Sequence, residues 1–207
     1  MISVETELRY YIYDFFGDLF IYNYDENDYN LLLDKMEKLS QVKEFRELVN
    51  INDIQEIFKK IERKDYLIEF STLFLSGNSN LIPIESKRLY SLQGEKVAIF
   101  KKNDIIRFYR SRKLALAMSF FQPEADHIAS IMAFMSYLVS EENKKRRSGL
   151  DPFSIITDER NFFTSHVYNW IPEWAKEVIA DKRSFIYKLV CQRLLNFLQV
   201  EKDYLGV

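Results

Sequence analysis

Three observations predict an all-α fold. Gly and Pro together number nine in 207 residues, where average usage would place about 25; sheet-rich folds spend both on turns. Hydrophobic residues make up 47% of the chain, enough for one domain, or two small halves sharing a core, without disulfide or metal support. Those residues recur at helical spacing along most of the length.

Leu8, Tyr11, Ile12, Phe15 and Leu19 follow the i, i+3, i+4, i+7, i+11 pattern of an amphipathic helix that stops before the polar Asn23–Asn27. Leu31, Leu32, Lys35, Met36 and Leu39 set a second helix, and Phe45, Leu48 and Val49 a short third. Asp53 with Glu56 reads as a capping box ahead of Ile54, Ile57, Phe58 and Ile61. Leu67, Phe70 and Phe74 mark the next helix, with Gly77 as its stop. Ser76–Glu85 (SGNSNLIPIE) is the first long loop. Glu85–Leu92 reads as helix, Lys96–Phe100 as a helical connection in preference to a brief strand, and Asp104–Met118 as a helix with Ile105, Phe108, Tyr109 and Leu116 inward.

Pro123 is expected in the first turn of a central helix, where its missing N–H costs nothing, with Glu124 and Asp126 complementing the positive helix end. No charge lies between Ile128 and Ser140. His127, Ile131, Phe134 and Leu138 form one stripe, Ile128, Met132, Met135 and Val139 a second, and Ala129, Ala133 and Ser136 a small-residue face. A helix apolar on so much of its surface is a buried one. Glu141–Gly149 (EENKKRRSG) reads as a solvated connector. Asn161–Ile171 forms the next helix, with Phe163, Val167 and Trp170 on one face and Phe162 and His166 beside them; Pro172 ends or kinks it. After Asp181 a last long helix carries Ile186, Leu189, Val190, Arg193, Leu194, Phe197 and Leu198.

The net charge of −2 gives no nucleic-acid footprint. The single cysteine, Cys191, forms no internal disulfide and reads as a packed thiol. Two histidines and one cysteine make a structural zinc site implausible. The N-terminal MISVETELRYY is acidic where a secretory signal is basic, and no uncharged segment reaches the length of a membrane span, so a soluble cytoplasmic protein is expected. The five glycines are scattered and build no phosphate loop, and no nucleophile elbow is present. Asp126-His127 admits three readings: a helix cap with a satisfied imidazole, a nucleotide- or metal-dependent hydrolase site completed by His166, or an edge that holds a basic, partly apolar peptide. For Trp170 and Phe134 core packing is the plain alternative to a peptide groove, and for His166 a structural hydrogen bond.

Three segments in order carry a resemblance. LFLSGNSNLIPIESKRLY (Leu73–Tyr90) holds Leu73, Phe74 and Gly77, then Pro83, Glu85 and Ser86; FQPEADHIASIMAFMSYL (Phe121–Leu138) holds Glu124, Asp126 and His127 ahead of an apolar helix; NFFTSHVYNWIPEW (Asn161–Trp174) holds Phe163, His166, Trp170 and Pro172. Together they resemble the TorD/DmsD/NarJ family of cytoplasmic chaperones for molybdenum-cofactor oxidoreductases. The resemblance implies a single all-α domain over residues 1–207, of about ten or more helices, whose halves meet near 115–125. It implies a non-enzymatic chaperone that binds the twin-arginine signal peptide, or the apo catalytic subunit, of a molybdopterin oxidoreductase during cofactor insertion. A helical adaptor for another client is the alternative. No cofactor is expected beyond weak guanine-nucleotide binding, and a monomer is the default, with a domain-swapped dimer as the variant. The peptide-binding role falls on Asp126 and His127, with Glu124 beside them, and further on Pro83, Ser86, His166, Trp170 and Phe134. Two departures mark this chain: Ile84 stands where an aromatic is common, and Ser111-Arg112-Lys113-Leu114 replaces a small-Gly-Leu turn, which predicts a continuous helix there.

Overall fold

In the computed structural model, residues 4–76, 80–114 and 123–207 are described, with side chains from Glu7 onward. Among them, eleven α-helices and two π-helical turns follow in order: α1 (Val4–Leu19), α2 (Glu26–Ser40), α3 (Lys43–Val49), α4 (Ile51–Phe58), α5 (Arg63–Phe70), π1 (Ser71–Leu75), α6 (Glu85–Gln93), α7 (Glu95–Ser111), α8 (Ile128–Arg147), α9 (Phe153–Phe162), π2 (Phe163–Val167), α10 (Ile171–Ala180) and α11 (Ile186–Leu205). The all-α expectation holds, and the only extended pairing among the described residues is one antiparallel bridge, Ile84 with His127. Gly77 and Leu116, and most of the junction expected at 115–125, lie outside the described residues. The chain forms two compact units, Met1–Gly17 with Ile82–Trp170, and Asp18–Leu81 with Ile171–Val207.

The first unit is organised by α8. Ile128, Ile131, Met132, Phe134, Met135, Leu138 and Val139 are all buried, as the uncharged stripes require. α1 packs against α8 at Ala129, Met132 and Ser136, while Ala133 is exposed: Ser136 Oγ donates to the Tyr10 carbonyl at 3.2 Å, and a Cβ at Gly17 would lie 3.5 Å from the Met132 Cβ and 3.6 Å from the Ala129 carbonyl oxygen. The expected connector at Glu141–Gly149 is instead helix as far as Arg147. Two causes extend it. Glu142 is buried and accepts from Arg9 at 2.7 Å and from Arg146 at 2.7 Å, while Lys144, Lys145, Arg146 and Arg147 fall in the last turn, where cations suit the negative helix end. Arg9 also pairs with the buried Glu159 of α9.

α7 ends at Ser111, so the predicted helix to Met118 is too long and the expected continuous helix at 111–114 is corrected. Lys113 takes a left-handed φ of 58°. Its N–H donates to the Arg110 carbonyl at 2.9 Å and that of Leu114 to the Tyr109 carbonyl at 3.0 Å, a Schellman closure made without glycine.

The second unit packs Phe20, Tyr66, Phe70, Phe74, Trp174 and Tyr187 as one aromatic core, with Tyr187 at 4.7 Å ring distance from Phe74 and Trp174 at 5.4 Å from Phe20. The indole of Trp174 donates to the Leu81 carbonyl at 2.9 Å, and the Tyr187 hydroxyl to that of Leu19 at 2.7 Å. α11 has no cap of its own; the Glu69 carboxylate of α5 accepts from the N–H groups of Phe185, Ile186 and Tyr187 at 2.9–3.0 Å. Cys191 is buried, which pushes its thiol pKa well up and keeps it protonated.

Two local expectations are corrected in this unit. α4 begins at Ile51, with Asn50 in the left-handed region and its amide donating to Asp53 at 2.7 Å, so Asp53 and Glu56 make no capping box. The box stands at α5, between Glu62 and Asp65. Pro172 neither ends nor kinks a helix; it is the second residue of α10, a first-turn place where no N–H is needed.

Candidate functional site

α6 and α8 start side by side. The Glu85 N–H donates to the Asp126 carbonyl at 3.0 Å and the Ile128 N–H to that of Pro83 at 2.9 Å, on either side of the Ile84–His127 bridge. Pro83, buried and lacking an N–H, supplies only its carbonyl to this pairing. Pro123, Glu124 and Asp126 therefore precede α8 and are not in its first turn, and the N-cap is His127. Its Nδ1 accepts from the Ala129 N–H at 3.1 Å, which requires a lone pair on that nitrogen. Burial pushes the imidazole pKa down to about 4, against the opposing pull of Asp126 and Glu124, so the cap is neutral at physiological pH.

Asp126 is fully buried and caps the neighbouring helix, not its own. Its Oδ2 accepts from the Ser86 N–H at 2.9 Å at the start of α6, where the flanking Ile84 has no side-chain oxygen to offer. Its Oδ1 makes no hydrogen bond. The nearest cation, Lys102 Nζ, stands 3.9 Å away. Lys102 of α7 bonds Glu124 Oε2 at 2.5 Å instead, and Lys87 of α6 reaches Glu124 Oε1 at 3.3 Å. The Lys102 ammonium holds the Glu124 carboxyl below its ordinary pKa, and the same bond raises that of Lys102. Glu124 is itself anchored through its backbone, whose carbonyl accepts from Ser130 Oγ at 2.8 Å.

Beside the acid pair opens a groove of about 330 Å³ between α6 and α7, lined by Ser86, Lys87, Tyr90, Glu95, Ala98, Ile99 and Lys102. Tyr90 and Ile99 are exposed there, and Leu92 and Phe100 are exposed on the same two helices. The groove walls are not the predicted aromatics. Phe134 is buried, its ring 4.6 Å from Phe162 and 4.7 Å from Tyr109, and Trp170 is buried with its indole donating to the His166 carbonyl at 2.7 Å.

His166 lies under the site, fully buried. π2 carries it, and its Nδ1 meets Glu85 Oε2 at 2.8 Å while its Nε2 meets Asp104 Oδ2 at 3.2 Å. Asn169 donates to the other Glu85 oxygen at 3.0 Å. This network fastens the first residue of α6 to π2 and α7. The structure thus gathers Glu124, Asp126, His127, Pro83 and Ser86 at one place, and sets His166, Trp170 and Phe134 in the packing beneath. Asp126, His127 and His166 spend their polar atoms on different partners, and among the described residues no cluster of His, Cys, Asp and Glu is placed to hold a metal ion. Glu85, Lys87 and Lys102 went unnamed as site residues. Glu85 carried a signal, its place in the Pro83-x-Glu85-Ser86 run, whereas Lys102 sits on an ordinary amphipathic helix and is recognisable only by what it faces.

Among the described residues no helix is long and apolar enough to cross a membrane. Compared with curated proteins and with solved structures, the chain has no significant match in either. A family model described as nitrate reductase delta subunit matches residues 37–176, about two thirds of the chain, and spans the loop, the Asp126-His127 helix start and the His166 segment together. With the helical fold and these three segments in register, the chain belongs to the nitrate reductase delta subunit family, the NarJ/TorD-type chaperones of molybdoenzyme maturation.

Proposed function

We propose that this protein binds the twin-arginine signal peptide of a molybdenum-cofactor oxidoreductase, or the apo form of that enzyme's catalytic subunit, and holds it through cofactor insertion and assembly. In this reading it works as a monomer in the cytoplasm, before its client is exported. The observation that supports the reading is the acid pair Glu124 and Asp126, which faces Lys87 and Lys102 of an apolar groove. A twin-arginine segment presents two guanidinium groups and then an apolar stretch, which is the order of chemistry met on passing from Glu124 to Tyr90, Ala98 and Ile99. Ser86 and His127 border the pair, Pro83 accepts from the Ile128 N–H beside it, and His166, Trp170 and Phe134 are buried packing residues of the same unit.

The test is fluorescence anisotropy with a labelled peptide of two adjacent arginines followed by an apolar stretch. Glu124→Gln keeps the side-chain shape and removes the charge. Affinity should fall about ten-fold, the worth of one hydrogen bond to an ionised group, and replacing both peptide arginines by glutamine should abolish the difference between the two proteins. Equal binding of the arginine peptide by both proteins refutes the role of the acid pair. Capture of a molybdopterin oxidoreductase subunit from the native cells identifies the client.

A further inference from the structure

We propose that Lys102 is an internal stand-in for a client arginine: its ammonium holds the cation position between Glu124 and Asp126 that a guanidinium takes on binding, and Lys87 is the second placeholder. The inference rests on the reading above, that the acid pair receives a basic segment.

An ammonium is a compact point charge, and here it serves one carboxylate and falls short of the other. Lys102 Nζ is 2.5 Å from Glu124 Oε2 but 3.9 Å from Asp126 Oδ1, beyond hydrogen-bond reach. Asp126 Oδ1 is left buried without a hydrogen bond, although the other oxygen of the same carboxylate is satisfied by Ser86. Such an acceptor is costly to leave unmet. A guanidinium carries five donors in a planar fork and spans two acceptors at once. The unmet oxygen is therefore the part of the site that arginine fits and lysine does not. Lys102 and Lys87 are 41% and 53% exposed, so both release into water at little cost. Lys102 also lines the groove with Ala98 and Ile99, its stem covering apolar surface. Its departure opens the acid pair and uncovers the groove wall for the apolar residues that follow the arginines.

The test repeats the anisotropy titration on the full chain with Lys102→Met, Lys102→Arg and, as a control, the exposed Lys96→Met on the same helix. Lys102→Met should bind the arginine peptide about two- to five-fold more tightly, the range released by removing a competing surface ion pair. Lys102→Arg should bind no more tightly than the parent, since it installs a better stand-in, and Lys96→Met should change nothing. If Met at position 102 unfolds the chain, Lys102→Gln carries the same expectation. Unchanged or weaker binding by the neutral 102 variant, while Glu124→Gln still loses affinity, overturns the stand-in and leaves the acid-pair reading in place. Equal tightening by Lys96→Met also overturns it, because a general loss of positive charge then accounts for the gain. Parent protein that does not bind the peptide, or Glu124→Gln that binds it equally, removes the acid-pair reading and this inference with it.

Discussion

Lowering the pH through the range of an ordinary histidine should loosen the start of α8. Its N-cap is the His127 imidazole, whose Nδ1 accepts from Ala129 only while unprotonated. Protonation turns that acceptor into a donor and sets a cation at the positive end of a helix. Burial holds the folded pKa at about 4, below the ordinary 6.5 of the unfolded chain. Between those values the unfolded state binds the extra proton, so stability rises with pH and is lost as pH falls from 6.5 to 4; below 4 both states are protonated and the loss stops. Each pKa unit is worth about 1.4 kcal/mol, which makes the loss between pH 7 and 4.5 about 2 kcal/mol. His127→Asn keeps an oxygen that accepts the capping bond and does not titrate. Urea unfolding of both proteins at pH 7 and pH 4.5 isolates the effect, since every other titrating group is common to the pair. The asparagine variant should lose about 2 kcal/mol less on acidification. Parallel losses would refute the argument that a neutral imidazole caps this helix.

The fate of the trans-cap on α6 separates two substitutions at Asp126. Asp126→Ala leaves the Ser86 N–H without its acceptor and should cost about 1–2 kcal/mol, read as a lower Tm in a thermal scan; Asp126→Asn keeps an oxygen for that bond and should lose less, while both lose arginine-peptide affinity. Equal stability of alanine and parent would show that the cap contributes nothing. At the end of α7, Lys113 is exposed in a left-handed conformation, so Lys113→Gly should stabilise the chain by about 1 kcal/mol in urea unfolding; a loss of stability would contradict the Schellman reading of that turn.

What was legible in the sequence was what a single element decides by itself. The stripes from Ile128 to Val139 are a property of one helix, and they placed α8 in the core correctly. What escaped depends on partners far along the chain. The charged run after Ser140 stays helical because Arg9, 133 residues earlier, accompanies Glu142 into the interior. Asp126 was legible as a cap, but the N–H it caps, that of Ser86, lies 40 residues before it. Pro172 was read as a terminator because a proline both stops and starts helices; π2 and the turn after it had already broken the previous one. Trp170 and Phe134 satisfied the description of a groove wall and of a core equally well, and only burial separated the two. The resemblance located Glu124, Asp126 and His127 together but carried no information on Lys102, whose interest comes entirely from the two carboxylates it faces.

Glu69 and the start of α11, which it caps, are separated by about 116 residues. Between them in the chain lies most of the other compact unit, Ile82–Trp170. During synthesis, the segment Asp18–Leu81 therefore leaves the ribosome long before Ile171–Val207, which supplies Trp174 and Tyr187 to its aromatic core. The unit that begins at Asp18 is completed only after the whole of Ile82–Trp170 has been made, so its first segment waits while the other unit is finished. Until then Phe20, Phe70 and Phe74 lack their aromatic cover, so a nascent or carboxy-truncated chain exposes an aggregation-prone aromatic surface at residues remote from the truncation.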